Sequence, residues 1–482
     1  MRSFPFKLLL ILVFACGFAA SGNSQNCHCS ANLLFLEHSV EQDYSGFQDK
    51  VNASNIRSYD QFKDSLLRRV DSSSVGLPCY RLLQAYLRFF HEPHLNIFIR
   101  TVNGYLDSLR SMFRNEPRVP INIDSLKGAW ASGSGAPLEG IWKLGDTYQL
   151  ALIKDLATPG DYIGVVLKAD SICWFPGQVK IRVKSLPGNK FDLTFYGRDH
   201  TPLSPMSIVR PNSIIIDGYG TLTKVFPQAD VGAIADSVVD EPVSFRVLSK
   251  DACLLTIRSF DQALAKTTDS LIKANRDLIV GTENLIIDLR GNGGGVSDSF
   301  FSLFPLIYTK SIPLDDLYLR SSQGNIDLFQ KFLENPALPR VKKEAMQDFI
   351  DSLKAQPGKM VLVRKGSAIE LDSILQKPKR IGVLIDYGCA SATEAFLIDC
   401  HYSSKVTMFG SRTHGALDHT EVGDYRSMPC PYIYYLCPVG KRGLKIYPAI
   451  DNIGIQPDVK LDASTPNWIA YVENYLTREG NQ

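Results

Sequence analysis

Two apolar runs in the second half of the chain each end abruptly in small residues, and between them they limit the fold to alternating strands and helices. The longer stretch, Ile381 to Gly415, reads IGVLIDYGCASATEAFLIDCHYSSKVTMFGSRTHG. Val383-Leu384-Ile385 has the pattern of a buried strand. Gly388 permits a sharp turn. Ala395, Phe396 and Ile398 then give an amphipathic helix, Val406 to Phe409 a second strand, and Gly410 to Gly415 a polar turn. This places Ser391 at a strand-to-helix turn with its hydroxyl exposed. The N–H of Ala392 is then free in the first helical turn, where the helix dipole favours negative charge. That arrangement suits a nucleophile and half of an oxyanion hole. Ser391-x-x-Glu394 is equally a capping box, in which serine caps the helix and glutamate reaches back. On these residues alone both readings stand.

The second run is Asn284 to Gly295, NLIIDLRGNGGG. Leu285 to Leu289 is β-prone, and three consecutive glycines let backbone N–H groups come close to a ligand. No Gly-Lys-Ser/Thr follows, so it is not a P-loop, and it lacks the dinucleotide G-x-G-x-x-G spacing. Taken in order, the two stretches resemble peptidase family S41, the C-terminal-processing and tricorn-like serine proteases. In that family a D-L-R-x-N-G-G-G loop supplies an oxyanion donor, and a later S-A-S-x-E segment holds the nucleophile. The resemblance implies Ser391 as nucleophile, with the N–H groups of Ala392 and of Gly293 or Gly294 as the oxyanion hole. Glu394 and Thr413 fall on family positions that order the site, and Gly410, Thr413 and Gly415 match a G-x-x-T-x-G turn. The general-base lysine of the C-terminal-processing branch would follow Gly415, where this chain has Ala416. Another base is therefore required.

The first half of the chain supplies a candidate. Leu33, Leu34, Leu36 and Val40, then Phe62, Leu66, Leu67 and Val70, then Leu82, Leu83, Tyr86, Leu87 and Phe90 show helical spacing. Pro93 stops the third helix, and Leu95 to Ile99 reads as a strand. His94 lies in the turn between them. Tricorn-like members that lack the lysine carry a D-G-H-like turn whose histidine is the base, and Glu92-Pro93-His94 is similar to it. A histidine, with an unperturbed pKa of about 6.5, takes a hydroxyl proton at neutral pH. His91, His414 and His419 compete for the role. Near the C-terminus, Asp451 stands where the family segment V-E-N-x-G-V-x-P-D has a glutamate of the catalytic tetrad, on a shorter side chain.

The remainder bounds the surroundings. Length, 482 residues, allows two to four domains. A formal net charge of +2 with mixed signs and no basic block gives no case for nucleic acid. Residues 1–25 read as a secretory signal: Arg2 and Lys7, then an apolar run from Leu8 to Ala20 too short for an ordinary transmembrane span. Val13 to Cys16 is a loose lipobox. Nine cysteines follow the signal; an exported chain permits disulfides, and an odd count leaves at least one unpaired in a monomer. Cys27-His28-Cys29 lacks the second pair a zinc site would need, and no H-E-x-x-H appears, which disfavours a metalloprotease.

The expected architecture is multidomain α/β. An N-terminal helical domain (26–115) carries His94, and an all-β domain (116–240) forms a sandwich or barrel. A peptidase domain (241–482) follows, with the crotonase-like, ClpP-like core that the resemblance implies. The charged insertion between Ile312 and Arg380 reads as a solvated face or a lid. The expected function is hydrolysis of peptide or protein substrates by an exported enzyme, periplasmic, outer-membrane-associated or extracellular, with no cofactor and no metal. A non-catalytic ligand- or protein-binding member of the same fold is the alternative. Oligomeric state and peptide specificity are not legible.

Overall fold

The computed structural model describes residues 27–479, apart from 71–74, 187–189, 206, 210, 217–218, 228–240, 337, 422, 463–464 and 466. The expected signal segment and Cys16 lie outside the described residues.

The three helices expected near the N-terminus form at Cys29–Asp43, Ile56–Leu67 and Leu77–Arg88. The third begins with Pro78 in its first turn, where the missing N–H costs no hydrogen bond. It buries Leu82, Leu83, Tyr86 and Leu87. After the turn at His94, the strand Asn96–Ile99 pairs antiparallel with Ile433–Leu436, more than 300 residues later in the chain. The disulfide Cys27–Cys430 strengthens the same attachment, and Cys29–Cys79 ties the first of the three helices to the third. The corner that carries His94 is thereby fixed to the C-terminal region.

The middle of the chain is a nine-stranded antiparallel sheet running from Gly140–Leu144 to Gly220–Phe226. Alternation along Val179–Leu186 buries Ile181 and Val183 and exposes Arg182 and Lys184. The region expected to be all-β also contains a helix, Ile123–Ala131. Asn122 caps it by accepting from the N–H of Ser125 at 3.1 Å. Trp130 of this helix packs against Ile141 and Ala151 of the sheet.

The second half is built on a six-stranded sheet: β1 (Val243–Ser249), β2 (Ala252–Ile257), β3 (Asn284–Asp288), β4 (Arg380–Ile385), β5 (Val406–Gly410) and β6 (Val459–Lys460), adjacent in that order. All neighbours are parallel except β1 with β2. Helices α1 (Gln262–Ala274) and α2 (Ala392–Cys400) lie on one face, and α3 (Trp468–Glu479) lies on the other. Leu285, Ile287, Val383 and Ile385 face Phe396 and Leu397 of α2. Ile286, Leu384 and Phe409 face Val472 and Leu476 of α3. Burial on both faces is why β3 and β4 are unbroken apolar runs. Asp288 of β3 pairs in register with Leu384 of β4, so both strands leave the sheet at the same edge. That sets the glycine loop after β3 beside the turn that holds Ser391.

The charged insertion is a folded lobe with its own core of Leu317, Leu319, Phe329, Ile350 and Leu353. Its strands Leu317–Arg320 and Met360–Arg364 join Gly440–Arg442 and His419–Thr420 in one sheet.

Candidate active site

Ser391 precedes α2 with φ 56° and ψ −121°. An ordinary helix cap is extended, whereas a non-glycine residue held here is strained. The strain is held in place by Glu394, whose carboxylate is fully buried. Its Oε2 accepts from the N–H of Ser391 (3.1 Å) and of Ala416 (2.8 Å). Its Oε1 accepts from Thr413 Oγ1 (2.5 Å) and from the N–H of Gly415 (2.7 Å). Burial raises the pKa of this carboxyl, although the four donors act the other way. The glutamate half of the capping box is thus present, and it also staples the Ser391 turn to the Thr413–Ala416 turn. Gly415, at φ 85°, has no room for a Cβ, which would lie 2.4 Å from the carbonyl oxygen of Ile450.

The glycine loop closes on Ser391 from the other side. Asn292 is buried, and its carbonyl accepts from the N–H of Ala390 (3.2 Å) and from Thr393 Oγ1 (2.9 Å). A Cβ on Gly294, at φ 99°, would fall 2.9 Å from both Ala392 N and Ser391 Cβ. Of the two glycine donors expected from sequence, the N–H of Gly294 is taken: it donates to Asn292 Oδ1 at 3.0 Å. Gly293 faces open space and lines the cavity with Ser391 and Ala392. Gly294 is thus a close-approach position with its N–H engaged, whereas no hydrogen bond from the N–H of Ala392 or Gly293 is found among the described residues.

His94 lines the same cavity of about 490 Å³ as Ser391. Its Nδ1 lies 3.0 Å from the carbonyl oxygen of His419. A carbonyl only accepts, so Nδ1 carries the proton and Nε2 carries the lone pair. Glu92 Oε1 accepts from the His94 backbone N–H (3.1 Å) and stands 3.7 Å from Nδ1. No hydrogen bond joins Ser391 to His94 among the described residues. Of the four histidines weighed from sequence, His94 alone lines the cavity. The carbonyl of His91 accepts from Asn452 Nδ2 (2.7 Å). His414 packs its ring on Tyr387, and burial, followed by the nearby His94 and Arg412, lowers its pKa.

Asp451 does not reach His94. Its Oδ1 accepts from the N–H of Leu417 and of Asp418, both at 2.8 Å, and its Oδ2 lies 3.1 Å from His419 Nδ1. The side chain is one methylene shorter than the family glutamate, and it is anchored by those two amides. Burial opposes the Asp451 charge, but His419 and the amides outweigh it and hold the pKa below the ordinary value. His419 is clasped by three carboxylates: Glu92 Oε2 (2.7 Å) and Asp451 Oδ2 at Nδ1, and Asp49 Oδ2 (3.5 Å) at Nε2. Burial alone would lower its pKa, yet these partners raise it to about 10. Tyr44 Oη donates to Glu92 Oε2 at 3.0 Å. Glu92, His419 and Asp451 also bring potential metal ligands within 4.8 Å of one another. His419 Nδ1 hydrogen-bonds Asp451 Oδ2, and Glu92 Oε2 at 2.7 Å adds an ion-pair contact, so the group is satisfied as a buried ion cluster. Sequence reasoning placed Glu92 only as a departure from the D-G-H turn and His419 only as a competing base. Their joint role rests on a contact between residues distant in the chain.

Residues 251–461 match the sequence model of Peptidase family S41. No curated protein matches the sequence. Among solved structures, mature CPAF is similar with a TM-score of 0.50 at 13% identity, over 93% of this chain and 96% of that one. The photosystem II D1 C-terminal processing protease gives a TM-score of 0.39 at 13% identity, over 90% and 93%. The tricorn protease gives 0.40 at 12% identity, over 94% of this chain and 37% of its own. At such identities the first of these speaks for a shared fold.

Proposed function

We propose that this chain, whose residues 251–461 match Peptidase family S41, is a serine-type peptidase with Ser391 as its nucleophile and His94 as its general base. One observation carries the reading. The strained Ser391 turn, the free N–H groups of Ala392 and Gly293, and the one cavity-lining histidine converge on a single cavity. Ser391 Oγ attacks the scissile carbonyl while His94 Nε2 takes its proton. The imidazolium keeps its Nδ1–H on the His419 carbonyl, and the buried Glu92 carboxylate stabilises the new charge. The tetrahedral oxyanion accepts from Ala392 and Gly293. Losing one such donor costs about 100- to 1000-fold in turnover. His94 then protonates the leaving amine, and water hydrolyses the acyl-enzyme by the same path in reverse. Asp451 acts at one remove, by fixing His419.

Export is part of the proposal. The apolar segment after Arg2 and Lys7 and the two disulfides support an oxidising compartment. The test is labelling of the purified protein by a fluorophosphonate. Wild type is expected to label, with labelling lost in Ser391→Ala and in His94→Ala while both remain folded. Labelling that survives in His94→Ala rejects the base, and a wild type that stays unlabelled beside a reactive family member rejects the nucleophile.

A further inference from the structure

The cavity does not stop at Ser391. Three residues of α2 and its cap, Ser391, Ala395 and Asp399, recur at intervals of four and so share one helix face. All three line the cavity, which therefore runs along the helix for about 12 Å from nucleophile to carboxyl at 1.5 Å per residue. Phe300, Phe304 and Ile398 supply apolar walls between the two ends. Asp399 is 7% exposed. Among the described residues no hydrogen bond or ion pair reaches its carboxyl.

Three of the other four acidic groups around the cavity are hydrogen-bonded. Asp315 accepts from Arg442 (3.3 Å) and from the N–H of Lys445 (2.9 Å). Asp316 accepts from Lys445 Nζ and from the N–H of Gly366 (2.7 Å). Asp261 caps α1 through the N–H of Ala263 (2.8 Å). Glu421 is half-buried, and burial raises its pKa to about 7 against the opposing charge of Arg364. Among the described cavity residues, Asp399 is the more deeply buried of the two carboxyls without a hydrogen bond or ion pair, and it lies two helical turns from the nucleophile along the cavity wall.

We infer that Asp399 closes the far end of the pocket for the residue whose carbonyl is attacked, and that the enzyme cleaves after lysine or arginine. This rests on the reading of Ser391 as nucleophile. A long aliphatic stem lies along Phe300, Phe304 and Ala395, as such stems do on apolar surface, and delivers its cation to the carboxylate. Burial without a partner holds the Asp399 pKa well above the ordinary value, and an arriving cation restores the charged form. A leucine in the same channel leaves the carboxyl unpaired.

The test reads the rate at which Ser391 is modified, by mass, with lysyl and leucyl diphenyl phosphonates, alongside a small fluorophosphonate. The expected result is that wild type reacts about 100-fold faster with the lysyl reagent, and that Asp399→Asn brings the ratio close to one by slowing it. Equal or faster reaction with the leucyl reagent, with fluorophosphonate labelling intact, overturns the pocket and leaves the nucleophile standing. Failure of all three reagents removes the nucleophile and the pocket together. Should Asp399→Asn not fold, wild-type cleavage sites in a denatured protein mixture decide: lysine or arginine before most cut bonds supports the inference, and their absence there overturns it.

Discussion

At the scale of single residues, the site depends on buried charges whose partners come from remote parts of the chain. His419 is the plainest case. Its pKa, about 10 in the folded protein, exceeds the value of about 6.5 expected when unfolded. The contribution of this group is complete below about pH 6.5 and is lost as pH rises through about 10. Denaturation of wild type is therefore expected to show a fall in stability across that window, and in His419→Gln that fall is expected to flatten. At pH 7 the variant is expected to lose about 3–5 kcal/mol, since it leaves Glu92 and Asp451 buried without their cation. An unchanged pH profile in the variant would show that the cluster does not hold a charged histidine. Sequence could nominate His419 because it lies near the missing lysine. It could not show that the side chain points at carboxylates and only the carbonyl points at His94.

At the scale of elements, the strand–turn–helix around Ser391 and the glycine loop are one device, because parallel neighbours β3 and β4 end together. The two glycines that sequence treats as equals separate in the structure. Gly294 sits at φ 99° with no room for a side chain, and Gly293 faces open space. Gly294→Ala is expected to cost about 1–3 kcal/mol and to reduce fluorophosphonate labelling at least about tenfold, by pushing on Ser391 and Ala392. Gly293→Ala is expected to keep wild-type stability in the same denaturation experiment. Equal stability losses in the two variants would contradict this assignment. The element boundaries themselves were largely legible: β4, α2 and β5 follow the apolar runs read from sequence. The helix Ile123–Ala131 was not anticipated, because it lies between the helical and β regions that the pattern reading described.

At the scale of the whole molecule, the N-terminal helices lead into the turn that sets His94 on the cavity wall. The pairing of Asn96–Ile99 with Ile433–Leu436 and the disulfide Cys27–Cys430, which spans a sequence separation of 403, hold the His94 turn against the region that carries His419. Replacing both Cys27 and Cys430 by serine is expected to lower stability by about 2–5 kcal/mol, read from the denaturation midpoint in oxidising buffer. Labelling of Ser391 is expected to be lost at lower denaturant than in wild type. Coincident midpoints for the two proteins would show that the sheet pairing alone secures the corner. The folded lobe at residues 312–380 adds Pro313, Leu314 and Arg364 to the cavity wall, so a segment that reads as a charged insertion shapes the cavity that Ser391 lines.

The sequence by itself determined the local chemistry. Legible there are apolar runs that must be buried on two faces, a serine at a tight strand-to-helix turn, glycines where backbones approach, and a histidine in the N-terminal helical region of a chain that lacks the lysine. These are consequences of short-range sterics and burial, which a linear pattern records. Only the tertiary structure decided which groups meet. Asn292 takes the N–H of Gly294, Asp451 binds His419, and Asp399 lines the cavity with no hydrogen bond or ion pair among the described residues. A hydrogen bond or a buried charge depends on distances of a few ångströms between residues far apart in the chain. Those distances are set by how the sheets pack and where β3 and β4 end.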